Sequence, residues 1–131
     1  MVRHTILIVD DTPDHRDVLC RFLQSVGYRV ITVEPGSDAV DHAQRERPDL
    51  ILAALSLPGQ LAWETARRLR AEPVLAATPI LGTTVYTTLL TTARIRALGC
   101  ADFVEKPFDF DGLLHQINRL MPRTPLAPAV A

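Results

Sequence analysis

Five short apolar segments alternate with longer segments of helical periodicity, and this alternation constrains the fold more than any other feature of the chain. Each apolar segment is mostly continuous, which is typical of parallel strands covered on both faces. The segments are Thr5 to Val9, Arg29 to Val33, Leu50 to Leu55, Pro79 to Thr83 and Phe103 to Glu105. Strand and helix in alternation predict a doubly wound α/β fold, (βα)5, with right-handed crossovers.

Two of the predicted helices have a clear apolar face, with apolar residues three and four positions apart. These residues are Val18, Leu19, Phe22, Leu23 and Val26 in the first helix, and Phe110, Leu113, Leu114, Ile117 and Met121 in the last. Weaker patterns predict a second helix around Val40, a third around Trp63 and a fourth from Thr88 to Leu98. Signals at the helix ends agree with this assignment. The predicted starts are Thr12 before Pro13, Ser37 and Asp109, and the predicted ends are Gly27 and Gly99.

The length of 131 residues and the 47% hydrophobic content fit one compact domain, which we place at residues 1–121. Residues 122–131 contain three prolines and several alanines and no periodic pattern. We expect this segment to be a disordered tail or the beginning of a linker.

Charge and composition exclude several classes of function. Lys and Arg number 14 against 15 Asp and Glu, so the formal net charge is -1 and nucleic-acid binding by this chain is not expected. The sequence lacks an apolar run of the roughly 18 residues that a membrane span needs, and its beginning does not resemble a signal peptide. Cys20 and Cys100 stand far apart without metal-ligand spacing, which predicts buried free thiols and a soluble, cytoplasmic protein.

Polar residues stand where the predicted strands end. Asp10 and Asp11 follow the first strand, Thr84 the fourth and Lys106 the fifth. With a flavodoxin-like sheet order of 2-1-3-4-5, these residues converge on one pocket. Adjacent carboxylates suit Mg²⁺, which takes a few carboxylate oxygens and keeps several waters. Equally, the two acids could simply favour the start of the first helix.

The ordered set of motifs resembles the response-regulator receiver domain over about residues 4–121. The matching stretches are Ile6 to Asp11, Pro48 to Leu52, Leu55 to Gly59, Thr84, and Gly99 to Phe108. The resemblance implies a non-enzymatic phosphorelay module of two-component signalling, which receives a phosphoryl group from a histidine kinase or phosphotransfer protein. It also implies an effector protein bound through the face of the fourth helix, fifth strand and fifth helix.

The resemblance further assigns roles to individual residues. The Mg²⁺ ligands of the family are similar to Asp10, Asp11 and the backbone carbonyl of Ser56. Thr84 is similar to the hydroxyl that binds a phosphoryl oxygen, and Lys106 to the cation that pairs with the charge of the phosphoryl group. Phe103 is similar to the aromatic switch residue. No cofactor other than Mg²⁺ is implied. A Lys106 ammonium facing the acidic pair would also offset the repulsion between its carboxylates.

The phosphoacceptor aspartate of the family falls on Ala54 in this chain. A methyl group offers no carboxylate oxygen to form an acyl phosphate, so phosphorylation at the usual site is excluded. Asp49 is not a substitute, because it lies about 16 Å away at the other end of the predicted strand. We also expect weaker Mg²⁺ binding and a Phe103 ring that stays outward.

Two explanations account for the alanine at position 54. The chain is either a laboratory Asp-to-Ala variant of a phosphorylatable receiver or a natural pseudo-receiver that acts as a phosphorylation-independent protein-interaction module. An unrelated flavin-binding protein of the same fold class is disfavoured, since Asp10 and Asp11 would repel a phosphate after the first strand.

The predicted third helix carries two further features. Arg67, Arg68 and Arg70 form a basic cluster, which we interpret as a solvated face. Trp63 either packs beneath the helix or serves as an anchor for a partner protein.

Overall fold

Five strands and five helices alternate in the computed structural model, which describes residues 3–55, 61–84, 89–105 and 109–122. The strands are β1 (Thr5–Val9), β2 (Arg29–Val33), β3 (Leu50–Ala54), β4 (Ile80–Thr84) and β5 (Asp102–Glu105). The helices are α1 (Pro13–Ser25), α2 (Ser37–Glu46), α3 (Leu61–Ala71), α4 (Leu89–Ala97) and α5 (Phe110–Leu120), with a short 3₁₀ turn at Pro73–Leu75.

All strands are parallel and lie in the order β2-β1-β3-β4-β5, which confirms the predicted fold and sheet order. The register places Val9 opposite Val33 on one side and Ala53 on the other, while Ala54 lies opposite Thr83. Because the strands run in the same direction, their carboxyl ends meet along one edge of the sheet. Asp10, which follows β1, and the last residues of β3 and β4 are therefore neighbours in space.

The sheet separates two hydrophobic layers, and alternate residues of each central strand enter opposite layers. One layer contains Leu7, Val9, Ile51, Ala53 and Ile80 together with Val40, Ala43, Trp63, Leu69 and Ile95 from α2, α3 and α4. The other contains Ile6, Ile8, Leu50, Leu52 and Leu81 together with Leu19, Leu23, Leu113 and Ile117 from α1 and α5. This two-sided burial explains why the segments of the central strands β1, β3 and β4 are mostly apolar rather than alternating.

Helix ends follow the predicted signals with one exception. Asp109 is the N-cap of α5, and its Oδ1 accepts a hydrogen bond of 2.5 Å from the amide of Gly112. Gly27 and Gly99 lie just beyond the ends of α1 and α4. The prediction for Ser37 is wrong by one position. Gly36 is the N-cap of α2, and Ser37 is the first helical residue. The N-cap position has a φ of +130°, which glycine adopts readily and serine does not.

Four strand boundaries also differ from the prediction by one residue, one in β3, two in β4 and one in β5. β3 ends at Ala54, although Leu55 stays fully buried and its amide donates to the Thr83 carbonyl at 2.7 Å. β4 begins after Pro79, which has no amide hydrogen to enter the sheet, and it extends through Thr84. β5 begins at Asp102.

Candidate metal centre at the carboxyl edge of the sheet

Three of the predicted pocket residues come together at the carboxyl edge. Asp10 directly follows β1, Ala54 is the last residue of β3, and Thr84 is the last residue of β4. These three strands are adjacent in the sheet. Asp11 is next to Asp10 in the same loop, whereas the last two predicted pocket residues, Ser56 and Lys106, lie outside the described residues.

Asp10 is buried and held in place by hydrogen bonds. Its amide donates to the Val33 carbonyl at 3.1 Å, and its Oδ1 accepts from the Thr12 amide at 2.9 Å. The Arg16 guanidinium donates to its backbone carbonyl at 2.7 Å. The carboxylate therefore has a fixed position at the end of β1, and its second oxygen, Oδ2, lies 3.9 Å from Nδ1 of His15.

Arg16 is a residue that the sequence analysis missed. It binds the backbone of Asp10 from α1 and also lies 3.8 Å from a carboxylate oxygen of Glu34. It thus ties the loop that carries the acidic pair to the connection after β2. An arginine on a predicted helix gives no signal of such a contact, because the contact depends on how the loop folds back over the helix.

Asp11 differs from Asp10 in being exposed to solvent. Its Oδ1 accepts a long hydrogen bond of 3.4 Å from the Thr12 hydroxyl. The Thr12 side chain itself makes no capping bond at the start of α1. One fixed and one exposed carboxylate at the same turn are chemically suited to a hard cation, which accepts carboxylate oxygens and retains waters.

The described residues contain no cluster of three or more His, Cys, Asp or Glu side chains arranged to hold a metal ion. A cation at this edge would therefore depend on the two carboxylates of Asp10 and Asp11, on backbone oxygens and on water. Mg²⁺ accepts such an arrangement, because it commonly binds through one or two carboxylates and keeps several waters.

Ala54 leaves the centre of this edge without a nucleophile. The residue is buried, with 7% of its surface exposed, and its side chain is a methyl group. Thr84, whose side chain carries a hydroxyl, is also buried, 1% exposed. The described pocket therefore has carboxylate groups of a type that suits a cation and a hydroxyl of a type that suits an anion, but position 54 has no oxygen that could attack a phosphoryl group.

Comparison with known proteins identifies the family. Residues 6–118 match the family model described as "Response regulator receiver domain". The chain belongs to the response regulator receiver domain family. PilH of Pseudomonas aeruginosa is 31% identical to this receiver domain over 116 residues, which are 88% of this chain and 96% of PilH.

Solved structures agree with this assignment. The chemotaxis protein CheY4 of Vibrio cholerae matches with a TM-score of 0.84 at 29% identity, over 92% of this chain and 100% of that chain. The receiver domain of sensor histidine kinase PA1611 from Pseudomonas aeruginosa has a TM-score of 0.80 at 31% identity, over 91% of this chain and 98% of that chain. That structure is described with a magnesium ion coordinated in the active site cleft.

The receiver domain spans only part of some relatives. It is 32% identical to the CAI-1 autoinducer sensor kinase/phosphatase CqsS of Vibrio cholerae and covers 16% of that protein. It is 31% identical to the DNA-binding response regulator MtrA of Mycolicibacterium smegmatis and covers 55% of it. Within the described part of the receiver domain, no helix has the length and apolar character that crossing a membrane requires.

The aromatic residue of the predicted switch, Phe103, lies on the edge strand β5. It is partly buried and packs against the core layer that contains Trp63 and Ile95. The guanidinium carbon of Arg96, on α4, lies 5.7 Å from the centre of its ring, within the range of a cation–π contact. An outward orientation of the ring stays a prediction.

Asp49 lies at the opposite edge of the sheet. It is 2% exposed, its Oδ2 accepts from the Thr5 amide at 2.7 Å, and its own amide donates to the Thr5 carbonyl at 2.8 Å. The residue joins the beginnings of β1 and β3. This structural role agrees with the expectation that Asp49 cannot replace the missing acceptor.

The tryptophan, the arginine cluster and the cysteines that the sequence analysis singled out differ in burial and in their contacts. Trp63 is buried in the core beneath α3, so packing, not anchoring of a partner, is the interpretation that the structure supports. Arg67 and Arg68 are exposed as predicted, but Arg70 is not part of a solvated face. It donates hydrogen bonds to backbone carbonyls of two loops. Cys100 is buried as predicted, whereas Cys20 is only partly buried.

Proposed function

We propose that this receiver domain acts in two-component signalling as a docking and conformational module that is not phosphorylated at the usual position. The observation that supports the proposal is the methyl group of Ala54 at the end of β3, beside the fixed carboxylate of Asp10. Acyl phosphate formation needs a carboxylate nucleophile at that point of the pocket. The remaining oxygens bind ligands but cannot supply this bond.

The acidic pair is the proposed Mg²⁺ site. Asp10 and Asp11 would bind the cation, with the backbone carbonyl of Ser56 as a further ligand. A bound cation would neutralise negative charge at this edge, as hard cations do at phosphate sites. Without a carboxylate at position 54, the site has one anionic ligand fewer, so binding should be weaker. The magnesium ion of the PA1611 receiver supports a site at this edge.

The other pocket residues have roles that depend on an anion. Thr84 would donate its hydroxyl to a phosphoryl oxygen, and Lys106 would pair with the charge of that group. Movement of Thr84 would give Phe103 room to turn inward, so the two residues form the proposed switch. Because Ala54 cannot hold a phosphoryl group, only the intrinsic balance between the two conformations is left.

The proposed partners are a histidine kinase or phosphotransfer protein, which docks at the pocket, and an effector protein bound by the α4-β5-α5 face. The names of CqsS and MtrA associate related sequences with kinase and DNA-binding functions in those proteins.

For this chain we propose a cytoplasmic protein whose residues 1–121 form the receiver domain and whose residues 122–131 form a tail or linker. Ala54 as a laboratory substitution and Ala54 as the residue of a natural pseudo-receiver share the same chemistry. Output in cells without any cognate kinase would favour the natural pseudo-receiver.

Beryllofluoride provides the direct test, because it mimics an acyl phosphate only when a carboxylate oxygen binds its beryllium. We expect Mg²⁺ with beryllofluoride to leave the amide NMR spectrum of residues 84–108 unchanged in the Ala54 chain. The same addition should shift these resonances in the Ala54→Asp variant. Mg²⁺ alone serves as the control for both proteins. Shifts induced by beryllofluoride in the Ala54 chain would overturn the proposal and favour an anion-responsive pseudo-receiver.

A further inference from the structure

The side chain of Arg70 connects two loops that are distant in sequence. Its Nη2 donates to the carbonyl of Leu75 and, at 2.9 Å, to the carbonyl of Thr78, both in the connection from α3 to β4. Its Nη1 donates at 3.3 Å to the carbonyl of Gly99, in the turn from α4 to β5. A planar guanidinium with several donors suits such simultaneous contacts, whereas an ammonium group does not.

Gly99 leaves room for the Arg70 side chain because glycine has no Cβ. Its φ is +88°, and a Cβ at this position would lie 2.4 Å from Cδ and 2.6 Å from Cγ of Arg70. The aliphatic part of Arg70 therefore lies directly against the backbone of the turn. A larger residue at position 99 would have to displace Arg70 as well as adopt an unfavourable backbone conformation.

Besides Arg70, a small number of described side chains attach the C-terminal end of α4 to the rest of the domain, among them Arg96 through its contact with the Phe103 ring. Among the described side chains of α4, Ile95 is the one that is fully buried. Leu98, one residue after the helix, is partly buried and packs against the core, and Cys100 in the following turn is buried. Local opening of a protein begins where buried apolar contacts are few. The stability of this end of α4 therefore depends strongly on the contacts that Arg70 adds.

We propose that Arg70 is a conformational latch that couples the α3–β4 connection to the C-terminal end of α4. The Arg70 latch consists of the hydrogen bonds to the carbonyls of Leu75, Thr78 and Gly99 together with the packing of the side chain on Gly99. It limits how readily residues 98–101 open, and thereby how readily α4 and the start of β5 change position. The latch does not depend on chemistry at Ala54.

Cys100 is a built-in reporter of this opening. Burial raises the pKa of its thiol to about 11, and the positive charge of Arg70 acts in the opposite direction. If Arg70 affected Cys100 only through its charge, removing that charge would raise the pKa further and slow the reaction of the thiol. If Arg70 is a latch, its removal exposes the thiol and speeds the reaction. The two roles predict opposite signs.

The experiment measures the rate at which dithiobis(nitrobenzoate) modifies Cys100 in a Cys20→Ala background. We expect Arg70→Met and Arg70→Lys to speed the reaction by about tenfold or more, since local opening should become easier. The matched control is Arg68→Met, on the exposed side of α3, which should leave the rate unchanged. A slower or unchanged rate in the Arg70 variants would overturn the latch. An increase no larger than the increase in global unfolding, measured by urea titration, would overturn it as well.

A pair of glycine substitutions tests the same coupling from the other loop and does not require Arg70 variants to fold. Gly99→Ala should displace the Arg70 side chain and so speed hydrogen exchange in the α3–β4 connection. The amides to follow are those of Ala76 and Thr78, which donate to the carbonyls of Pro73 and Leu75. Gly27→Ala is the control, because Gly27 has a similar φ of +103° but open space around its Cβ position. Equal exchange at these amides in both variants, or faster exchange confined to residues 98–101 in Gly99→Ala, would contradict the proposal.

Discussion

Replacing Asp49 with alanine should weaken the fold without changing the pocket. The substitution removes the carboxylate that accepts from the Thr5 amide at 2.7 Å and leaves this buried amide without its partner. An unsatisfied buried donor costs about 1–3 kcal/mol, so we expect the free energy of unfolding to fall by about 2 kcal/mol. For a domain of this size the midpoint of thermal unfolding should fall by roughly 6–10 °C.

Urea titration with a circular-dichroism readout measures this loss. Asp49→Asn keeps an oxygen acceptor and should lose less, about 1 kcal/mol. Asp41→Ala, at an exposed position of α2, is the control and should have almost no effect. A loss below about 0.5 kcal/mol for Asp49→Ala would refute the reasoning, because surface substitutions without a structural role already fall in that range. In an Ala54→Asp background, Asp49→Ala should leave phosphorylation intact.

Three further predictions each concern a single residue. Asp109→Ala should lower the free energy of unfolding by about 1 kcal/mol through loss of the N-cap bond, whereas Asp111→Ala should cost a few tenths of that in the same urea titration. The raised pKa of Cys100, from 9.0 to about 11, should remove about 2–3 kcal/mol of stability as pH rises from 9 to 11, because only the unfolded thiol ionises in that window. Cys100→Ala should lack this part of the loss. Calorimetric titration should show tighter Mg²⁺ binding for Ala54→Asp than for the Ala54 chain, and equal affinities would show that position 54 is not a ligand.

The fold follows from the sequence because hydrophobic periodicity carries most of the information. The central strands, which are covered on both faces, are mostly apolar. The alternation of short apolar segments with helical periodicity predicted the bounds of all five strands to within one residue. The helix ends were less regular. At α2 the backbone needs a positive φ at Gly36, and this geometric requirement overrides the ordinary preference for Ser37 as the cap.

The site was predictable only in part. Topology brings the carboxyl ends of β1, β3 and β4 together, so the neighbourhood of Asp10, Ala54 and Thr84 follows from strand order alone. The contacts of Arg16 and Arg70 do not follow from it. Both side chains bind backbone carbonyls of loops, and the position of a carbonyl in a loop depends on the packing of the whole domain. From sequence, a solvated arginine and an arginine that joins two loops have the same appearance.

The central claim is that position 54 alone prevents phosphorylation of this receiver domain. The direct test incubates the chain, Ala54→Asp and Ala54→Asn with a labelled small phosphodonor and Mg²⁺, and measures hydroxylamine-sensitive label on the protein. We predict incorporation in Ala54→Asp and none in the Ala54 chain or in Ala54→Asn, which restores the shape of the acceptor without its nucleophile. Stoichiometric acyl phosphate on the Ala54 chain, or no incorporation in Ala54→Asp, would contradict the account.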